Sequence, residues 1–174
     1  WKITKSLQSI YHAIDYNKLK EYEVIYIDSW STDDSIERAG KFPQIKIFQL
    51  REAKLNAAKA RNVGAKEAKG DFLFFLDGDM ELSPEFISQV FDKKGHLQHP
   101  LIGGKLVHQY YDNNWNLQER RKFLFHEKPI YKPISGGTFI IQKKLWDKVE
   151  GMDNRFNVNE DPELGLRLAK LGIL

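Results

Sequence analysis

Two aspartates separated by one glycine, Asp77-Gly78-Asp79, directly follow five apolar residues at 72–76. An apolar run of this length predicts a strand that is buried on both faces of a sheet. Carboxylates at the end of such a strand lie in the crevice where open α/β sheets bind ligands. Mg²⁺ and Mn²⁺ prefer carboxylate oxygens and often share phosphate groups with them. The motif therefore predicts a metal and phosphate site, in which Gly78 lets the backbone turn both side chains, or one carboxylate with bound waters, toward one ion.

An Asp-Gly pair between apolar runs is also typical of a hairpin turn. No second apolar strand follows at once, because Ser83, Pro84 and Glu85 carry the signals of a helix start. Ser83 would cap this helix and Pro84 would occupy its first position. A strand, an acidic loop and a helix in this order favour a ligand site over a hairpin.

Asp28 and Arg61 are two further candidate site residues. Asp28 follows the strand pattern at 22–27. It either faces the same crevice or bonds the amides of Ser31 or Thr32 as a turn carboxylate. Arg61 interrupts an alanine-rich helix pattern, where it either reaches a pyrophosphate group or is a solvated helix residue. The spacing alone leaves both alternatives open for each residue.

The acidic pair Glu160-Asp161 stands directly before Pro162. Asp161 is therefore a good helix cap, with Pro162 at the first helical position. A cap uses only one carboxylate, which leaves Glu160 unexplained. Adjacent carboxylates beside an apolar pocket can keep one oxygen ready to take a proton. The pair is accordingly a candidate for general base catalysis.

Helix and strand patterns alternate along the chain and predict the elements that position these residues. The helix patterns run from the first residues to about 14, and then lie at about 33–38, 55–69, 84–94, 144–149 and 161–171. The strand patterns lie at 22–27, 44–48, 72–76, 101–107 and 136–141. Gly70 is expected to end the alanine-rich helix, and residues 108–132 show no pattern that places them. The alternation predicts an α/β layered sheet.

The composition narrows the function classes. The 174 residues are 41% hydrophobic and 29% charged, which suits one domain with a sizeable core. A net charge of +3 permits an anionic ligand without demanding nucleic acid. The tightest basic cluster, at 120–122, either holds phosphate or lies in a solvated loop. The absence of cysteine excludes disulfides and thiolate metal sites. No glycine-rich dinucleotide fingerprint and no P-loop is present.

Four ordered motifs make the chain resemble a family 2 glycosyltransferase with the GT-A fold of nucleotide-diphospho-sugar transferases. They are a strand and Asp-containing loop at 24–33, a helix at 56–70, the Asp-x-Asp motif at 74–79, and an acceptor-side segment with a Glu-Asp motif at 136–164. The resemblance implies an α/β, Rossmann-like layered sheet with helices on both faces, incomplete because the family's first strand has no counterpart here. We expect one GT-A-like domain over 1–174 that is a fragment of a longer chain.

The resemblance also implies a donor site for a nucleotide sugar, with a divalent metal, Mn²⁺ or Mg²⁺, as cofactor. Its donor-binding residues would be Asp28, Ser29, Arg61, Asp77, Asp79, Gly136 and Gly137. Asp28 would contact a base, typically uracil, and Asp79 would be the main metal ligand with Asp77 near the ribose or the metal. Arg61 would lie near the donor phosphates, and the two glycines would leave room for the sugar. Where the family commonly has glycine, this chain has Trp30, which either stacks on a base or packs on its own loop.

The catalytic role that the resemblance implies falls on Asp161 as general base, with Glu160 beside it. The sugar would move with inversion to a hydroxyl of a glycan, lipid-linked or other acceptor, and no nucleic acid partner is expected. We expect a cytoplasmic location, with peripheral membrane association through other parts of the full protein. Two alternatives are a non-catalytic sugar- or nucleotide-binding module of the same fold, and a haloacid-dehalogenase-like phosphatase with Asp77 as nucleophile. Glu81 stands where the phosphatase motif has threonine or valine, which disfavours the second alternative.

Overall fold

The computed structural model describes residues 2–52, 54–123 and 137–174. Its helices are α1 (Lys2–Tyr16), α2 (Ser35–Ala39), α3 (Ala57–Glu67), α4 (Phe86–Val90), α5 (Lys143–Lys148) and α6 (Glu160–Lys170). Its strands are β1 (Val24–Asp28), β2 (Ile45–Gln49), β3 (Phe72–Leu76), β4 (Leu101–Gly103), β5 (Leu106–Tyr111), β6 (Leu117–Phe123) and β7 (Thr138–Gln142). Helices alternate with strands from α1 to β4, β5 to β7 come next among the described residues, and α5 and α6 follow. The mixed α/β class is confirmed.

The strands form three separate groups. β1 and β2 pair in parallel, with Val24 opposite Ile45. β7 lies between β3 and β4 and runs antiparallel to both. β5 and β6 form an antiparallel hairpin. Among the described residues β1 pairs only with β2 and β3 only with β7, so each of these strands keeps one edge without a strand partner.

The main core surrounds β7. Phe139 and Ile141 of this strand have no exposed surface, and Leu164 and Leu168 of α6 are buried against the same cluster. Helix α3 contributes small side chains to this core, and on its other flank a Cβ on Gly64 would lie only 3.3 Å from Ile27 of β1. The helix therefore packs against both β1 and the β3 sheet, which fixes the residues that it carries.

Local sequence explains the ends of α3. Asn56 precedes the alanine-rich stretch and its side-chain oxygen accepts the amide of Lys59 at 2.9 Å, as an N-cap does. The prediction that Gly70 caps the other end is wrong, because the helix stops at Glu67 and Ala68 is the C-cap. The amides of Lys69 and Gly70 instead donate to the carboxylate of Glu23.

Strand β3 is less buried than predicted. Phe72 at its start is exposed, whereas Leu73 is buried and the following residues are partly buried. The ring of Phe72 rests edge-on against Phe91, with 4.9 Å between centroids, and the residue is 36% exposed. The prediction of burial on both faces is therefore wrong for the first residue of the strand.

Helix α4 is shorter than the predicted 84–94. Glu85 occupies the N-cap position and Ser83 donates its hydroxyl to the Glu85 carboxylate, so Ser83 does not cap the helix. The helix stops at Val90 because Phe91 turns into an extended conformation and pairs with Leu97. The pairing of Phe91 with Leu97 therefore ends the helix, although the helical pattern in the sequence continues to about residue 94.

The region from 101 to 123 forms two separate strands and a hairpin. The predicted strand at 101–107 breaks after Gly103 into β4 and β5, and β5 pairs with β6. The basic residues Arg120 and Arg121 lie on β6, where Arg121 pairs with Glu119 at 2.7 Å, so the cluster is not in a loop. The rest of the unplaced stretch, at 124–132, lies outside the described residues.

Candidate functional site

Arg61 connects the two acidic motifs of the chain. The side chain of this α3 residue is only 8% exposed. Its Nη2 atom donates to Asp77 Oδ1 at 2.9 Å, just beyond β3. Its Nη1 atom donates to Glu160 Oε1 at 2.9 Å and lies 3.2 Å from Asp161 Oδ1, in the first turn of α6. These four residues are called the Arg61 cluster below.

A guanidinium suits this position because its planar fork presents several donors in fixed directions. One branch meets the carboxylate after β3 and the other meets the two carboxylates of α6. The sulfur of Met152 lies 3.8 Å from Nη1 and closes the buried side. The solvated alternative for Arg61 is therefore wrong, and a direct role at donor phosphates stays a prediction.

Asp77 is held against Gly137. A Cβ on Gly137 would lie 1.7 Å from Asp77 Oδ2, so only glycine leaves space for this carboxylate. The amide of Asp77 donates to the carbonyl of Gly137 at 3.0 Å. Burial raises the pKa of the Asp77 carboxyl above its usual range, Arg61 opposes this rise, and the charges of Asp79 and Glu160 add to it.

Asp79 lies apart from the Arg61 cluster. Its side chain is 58% exposed, and the ammonium of Lys2 lies 3.6 Å from Oδ2. Gly78 between the two aspartates does not have a positive φ; the described glycines that do are Gly95, Gly151 and Gly172. The turn after β3 therefore does not require the conformational freedom of glycine at Gly78, contrary to the sequence interpretation.

The described residues contain no group of three or more histidine, aspartate or glutamate side chains that could hold a metal ion. Asp79 is accessible, and Asp77 keeps Oδ2 free of the contact with Arg61. Carboxylate oxygens are the protein ligands that a Mg²⁺-type ion takes together with water and phosphate oxygens. The donor set is thus compatible with a metal that is bound together with a nucleotide.

The start of α6 differs from the prediction. Helix α6 begins at Glu160, and its N-cap is Asn159 with a left-handed φ of 64°. Asp161 is therefore inside the first turn and Pro162 is not the first helical residue, so the capping interpretation of Asp161 is wrong. Asparagine tolerates the left-handed region better than most residues, and with Asn159 as cap the helix starts two residues earlier than predicted. Carboxylates in the first turn are favoured by the helix dipole.

Asp28 forms a second polar centre at the end of β1 and is only 1% exposed. Its Oδ2 atom accepts the amide of Ser31 at 3.0 Å, as the turn interpretation predicts. Burial alone would raise the pKa of Asp28, but hydrogen bonds from Ser31, Tyr26 and Gln49 outweigh it and lower the pKa. Burial and the neighbouring Asp28 raise the pKa of Tyr26 to about 12. The predicted contact of Asp28 with a base remains a prediction.

Sequence reasoning missed the role of Asn62. Its amide oxygen accepts the amide of Met152 at 2.9 Å and its amide nitrogen donates to the Met152 carbonyl at 2.7 Å. These two hydrogen bonds to the backbone hold the turn at Gly151, whose φ is 66°, against α3. An asparagine within an alanine-rich helix was the available signal, because its helix propensity is low.

An open cleft of about 360 Å³ lies at the Arg61 cluster. Its lining includes Arg61, Asp77, Gly137, Glu160 and Asp161. The structure thus brings five of the predicted site residues together. The lining does not include Asp28, Ser29 or Asp79, and Gly136 lies outside the described residues.

The sequence of residues 2–152 matches the model of the family described as Glycosyl transferase family 2. The chain belongs to glycosyl transferase family 2. Dolichol-phosphate mannosyltransferase of Pyrococcus furiosus is 28% identical over 162 residues, which cover 84% of this chain and 45% of that protein. The chain therefore spans less than half of the length of this relative. These matches give no support to the phosphatase hypothesis for Asp77.

Solved structures confirm the GT-A fold of this family 2 chain. Staphylococcus aureus TarS 1–349 in complex with UDP-GlcNAc superposes with a TM-score of 0.64 at 20% identity, covering 94% of this chain and 48% of that one. GalNAc-T7 with UDP, GalNAc and Mn²⁺ gives a TM-score of 0.50 at 17% identity, covering 82% and 33%. At these identities the likeness concerns the fold alone.

None of the described helices combines the length and the apolar character that a crossing of the bilayer requires.

Proposed function

We propose that this family 2 chain forms the donor-binding and catalytic part of a metal-dependent, inverting glycosyltransferase. The donor is a UDP-sugar, the acceptor is a hydroxyl group, and Asp161 is the general base. The observation that carries the proposal is the Arg61 cluster, in which one guanidinium draws the carboxylate after β3 and the Glu160-Asp161 pair to one cleft. A transfer reaction needs both a donor anchor and a base at the same cavity.

In the proposed reaction the Asp161 carboxylate takes the proton of the acceptor hydroxyl. The acceptor oxygen forms a bond to C1 of the sugar while the bond from C1 to the diphosphate oxygen breaks. The electron pair of that bond leaves with the UDP, and attack from the opposite face inverts C1. Arg61 stabilises the ionised form of Asp161 through its positive charge. In this role Asp161 would act as a general base whose ionised carboxylate lies at the cleft.

Asp79 and Asp77 are the residues that would hold the divalent metal. When bound, such an ion neutralises the charge that develops on a leaving diphosphate. The exposure of Asp79 leaves it accessible to an ion that arrives with the nucleotide. Arg61 keeps Asp77 in place through Oδ1, and Gly137 provides the space for its carboxylate.

Calorimetric titration of UDP tests the donor site, first with Mn²⁺ and then with excess chelator. We expect binding that requires the metal, and Asp79→Asn should abolish it while the melting temperature stays nearly unchanged. Asp147→Asn is the matched control, because Asp147 is 57% exposed and pairs with Lys143 at 3.1 Å, much as Asp79 is 58% exposed beside Lys2. A folded chain that binds no UDP in either condition would contradict the proposal.

Asp161→Asn tests the base. We expect this variant to bind UDP like the unmodified chain and to lose release of UDP from UDP-GlcNAc. Loss of both properties would make Asp161 a donor-binding or structural residue. Retained binding together with retained turnover would favour the alternative that the base lies elsewhere. A chain that binds donor and never releases UDP, even with Asp161 present, would support the non-catalytic module.

A further inference from the structure

Trp30 has a backbone conformation that its side chain disfavours. It follows β1 by two residues and has a φ of 64°, in the left-handed region that bulky residues rarely adopt. Its side chain is 52% exposed, so burial in a core does not offset the strain. A strained residue that packing does not explain is a candidate for a functional role.

A chain of contacts links Trp30 to the buried Asp28. The guanidinium of Arg51 lies over the indole ring, 5.9 Å from its centroid, in a cation–π arrangement. Two nitrogens of Arg51 donate to Gln49 Oε1 at 3.2 and 2.9 Å. The amide nitrogen of Gln49 lies 3.4 Å from Asp28 Oδ2. The exposed ring is therefore supported by a polar network that reaches the end of β1.

The location of this network suits a ligand. β1 and β2 are parallel and end at Asp28 and Gln49, which are paired in register. Ligands of open α/β sheets bind in the crevice beyond the carboxyl ends of parallel strands. Trp30 and Arg51 follow these two strand ends in the chain. A flat aromatic surface and a positive charge thus stand together at a ligand-binding edge.

We propose that Trp30, supported by Arg51, is the stacking surface for the base of the donor nucleotide. The inference rests on the proposed function, since it names the part of the same donor that this loop would contact. A nucleobase has a π-face that stacks on an indole ring, and this contact contributes strongly to affinity for nucleotides. The nearby guanidinium adds a positive charge that favours the anionic nucleotide.

The chain offers a matched control for this residue. Trp115 has a φ of 62° and is 57% exposed, but it lies in the turn of the β5–β6 hairpin. Its ring contacts Tyr111, with 6.5 Å between centroids. Replacement of either tryptophan by glycine relieves the same backbone strain and removes a similar exposed ring. Only Trp30 should matter for the nucleotide.

The experiment compares Trp30→Gly and Trp115→Gly by calorimetry, with UDP and with inorganic pyrophosphate, each in the presence of Mg²⁺. Trp30→Gly should weaken UDP binding by about tenfold or more, from the typical strength of base stacking. It should leave pyrophosphate binding unchanged, because pyrophosphate has no base. Trp115→Gly should change neither affinity. Trp30→Phe, which keeps an aromatic ring, should retain most of the UDP affinity.

Each outcome separates the inference from the proposed function. Unchanged UDP affinity in Trp30→Gly, with the unmodified chain binding UDP, would overturn the stacking role and leave the donor site intact. An equal loss of affinity for UDP and for pyrophosphate in Trp30→Gly would also overturn the stacking role, because Trp30 would then only maintain the shape of the loop. Absence of UDP binding by the unmodified chain would overturn the proposed function itself. Trp30→Asn serves if the glycine variant does not fold, since asparagine tolerates a positive φ.

Discussion

Replacement of Arg61 by methionine should destabilise the chain strongly. The substitution keeps an unbranched stem but removes the charge that faces three carboxylates. Glu160 and Asp161 are nearly buried, and removal of one partner from a buried ion pair costs about 3–5 kcal/mol. Asp77 is half exposed, so its pair adds little. We therefore expect a loss of about 3 kcal/mol in the free energy of unfolding.

Thermal and urea unfolding measure this loss, and for a chain of this size about 3 kcal/mol corresponds to a decrease of roughly 6–12 °C in Tm. Arg155→Met is the control, because Arg155 pairs with Asp153 at 2.6 Å while its own side chain is almost fully exposed. The Arg155→Met variant should lose less than about 1 kcal/mol in the free energy of unfolding. Equal losses in the two variants would refute the view that the Arg61 cluster is a buried, interdependent unit.

The pH dependence gives a second check on Arg61→Met. Arg61 opposes the rise in the pKa of Asp77, so its removal raises this pKa further above the value in the unfolded chain. The native variant then binds more protons than the unfolded chain at acidic pH, and its stability increases as the pH falls. The deficit relative to the unmodified chain should therefore shrink toward acid. A deficit that grows with acid would contradict this account.

Three further substitutions test separate contacts. Gly137→Ala places a Cβ 1.7 Å from Asp77 Oδ2 and should push that carboxylate off Arg61, so metal-dependent UDP binding measured by calorimetry should fall about tenfold. Gly151→Ala meets Asn62 Oδ1 at 2.3 Å with a φ of 66° and should lose about 2 kcal/mol in urea unfolding. Burial alone would raise the pKa of Glu23, but hydrogen bonds from the Lys46 side chain and two backbone amides lower it. The stability that the ionised Glu23 carboxylate contributes is present at neutral pH and is lost as the pH falls through the pKa that Glu23 has in the folded chain. Glu23→Gln should therefore cost about 1 kcal/mol at pH 7 and little in acid, as thermal melts at both pH values would show. An unchanged UDP affinity, an unchanged urea midpoint or a pH-independent loss would count against the respective contact.

The order of helices and strands follows from the sequence because hydrophobic periodicity is a local signal. The helical face of α1 buries Ile3, Leu7 and Ile14 as the spacing predicts. Most of the hairpin of β5 and β6 escaped prediction because neither strand alternates regularly between apolar and polar residues. The end of α4 also depends on a pairing between Phe91 and Leu97 that no local pattern contains.

The sequence predicts which residues form the candidate site better than it predicts the contacts between them. Asp77 and the Glu160-Asp161 pair were recognised from residue type and spacing. Their link through Arg61 was not, because a charged residue on a helix resembles any solvated position until the packing of α3 is known. The function of Gly137 as space for a carboxylate likewise depends on the approach of another segment.

The Arg61 cluster also determines when the site can form during folding. Arg61 is 16 residues from Asp77 but 99 and 100 residues from Glu160 and Asp161. Contacts between such distant segments require closure of a long loop, so they tend to form after local helices and hairpins. We therefore expect Arg61→Met to accelerate unfolding and leave the folding rate nearly unchanged in stopped-flow experiments. Slower folding would instead place this cluster in the folding nucleus. A late-forming cluster means that chains caught during folding already contain helices and sheets but have not yet assembled the candidate site.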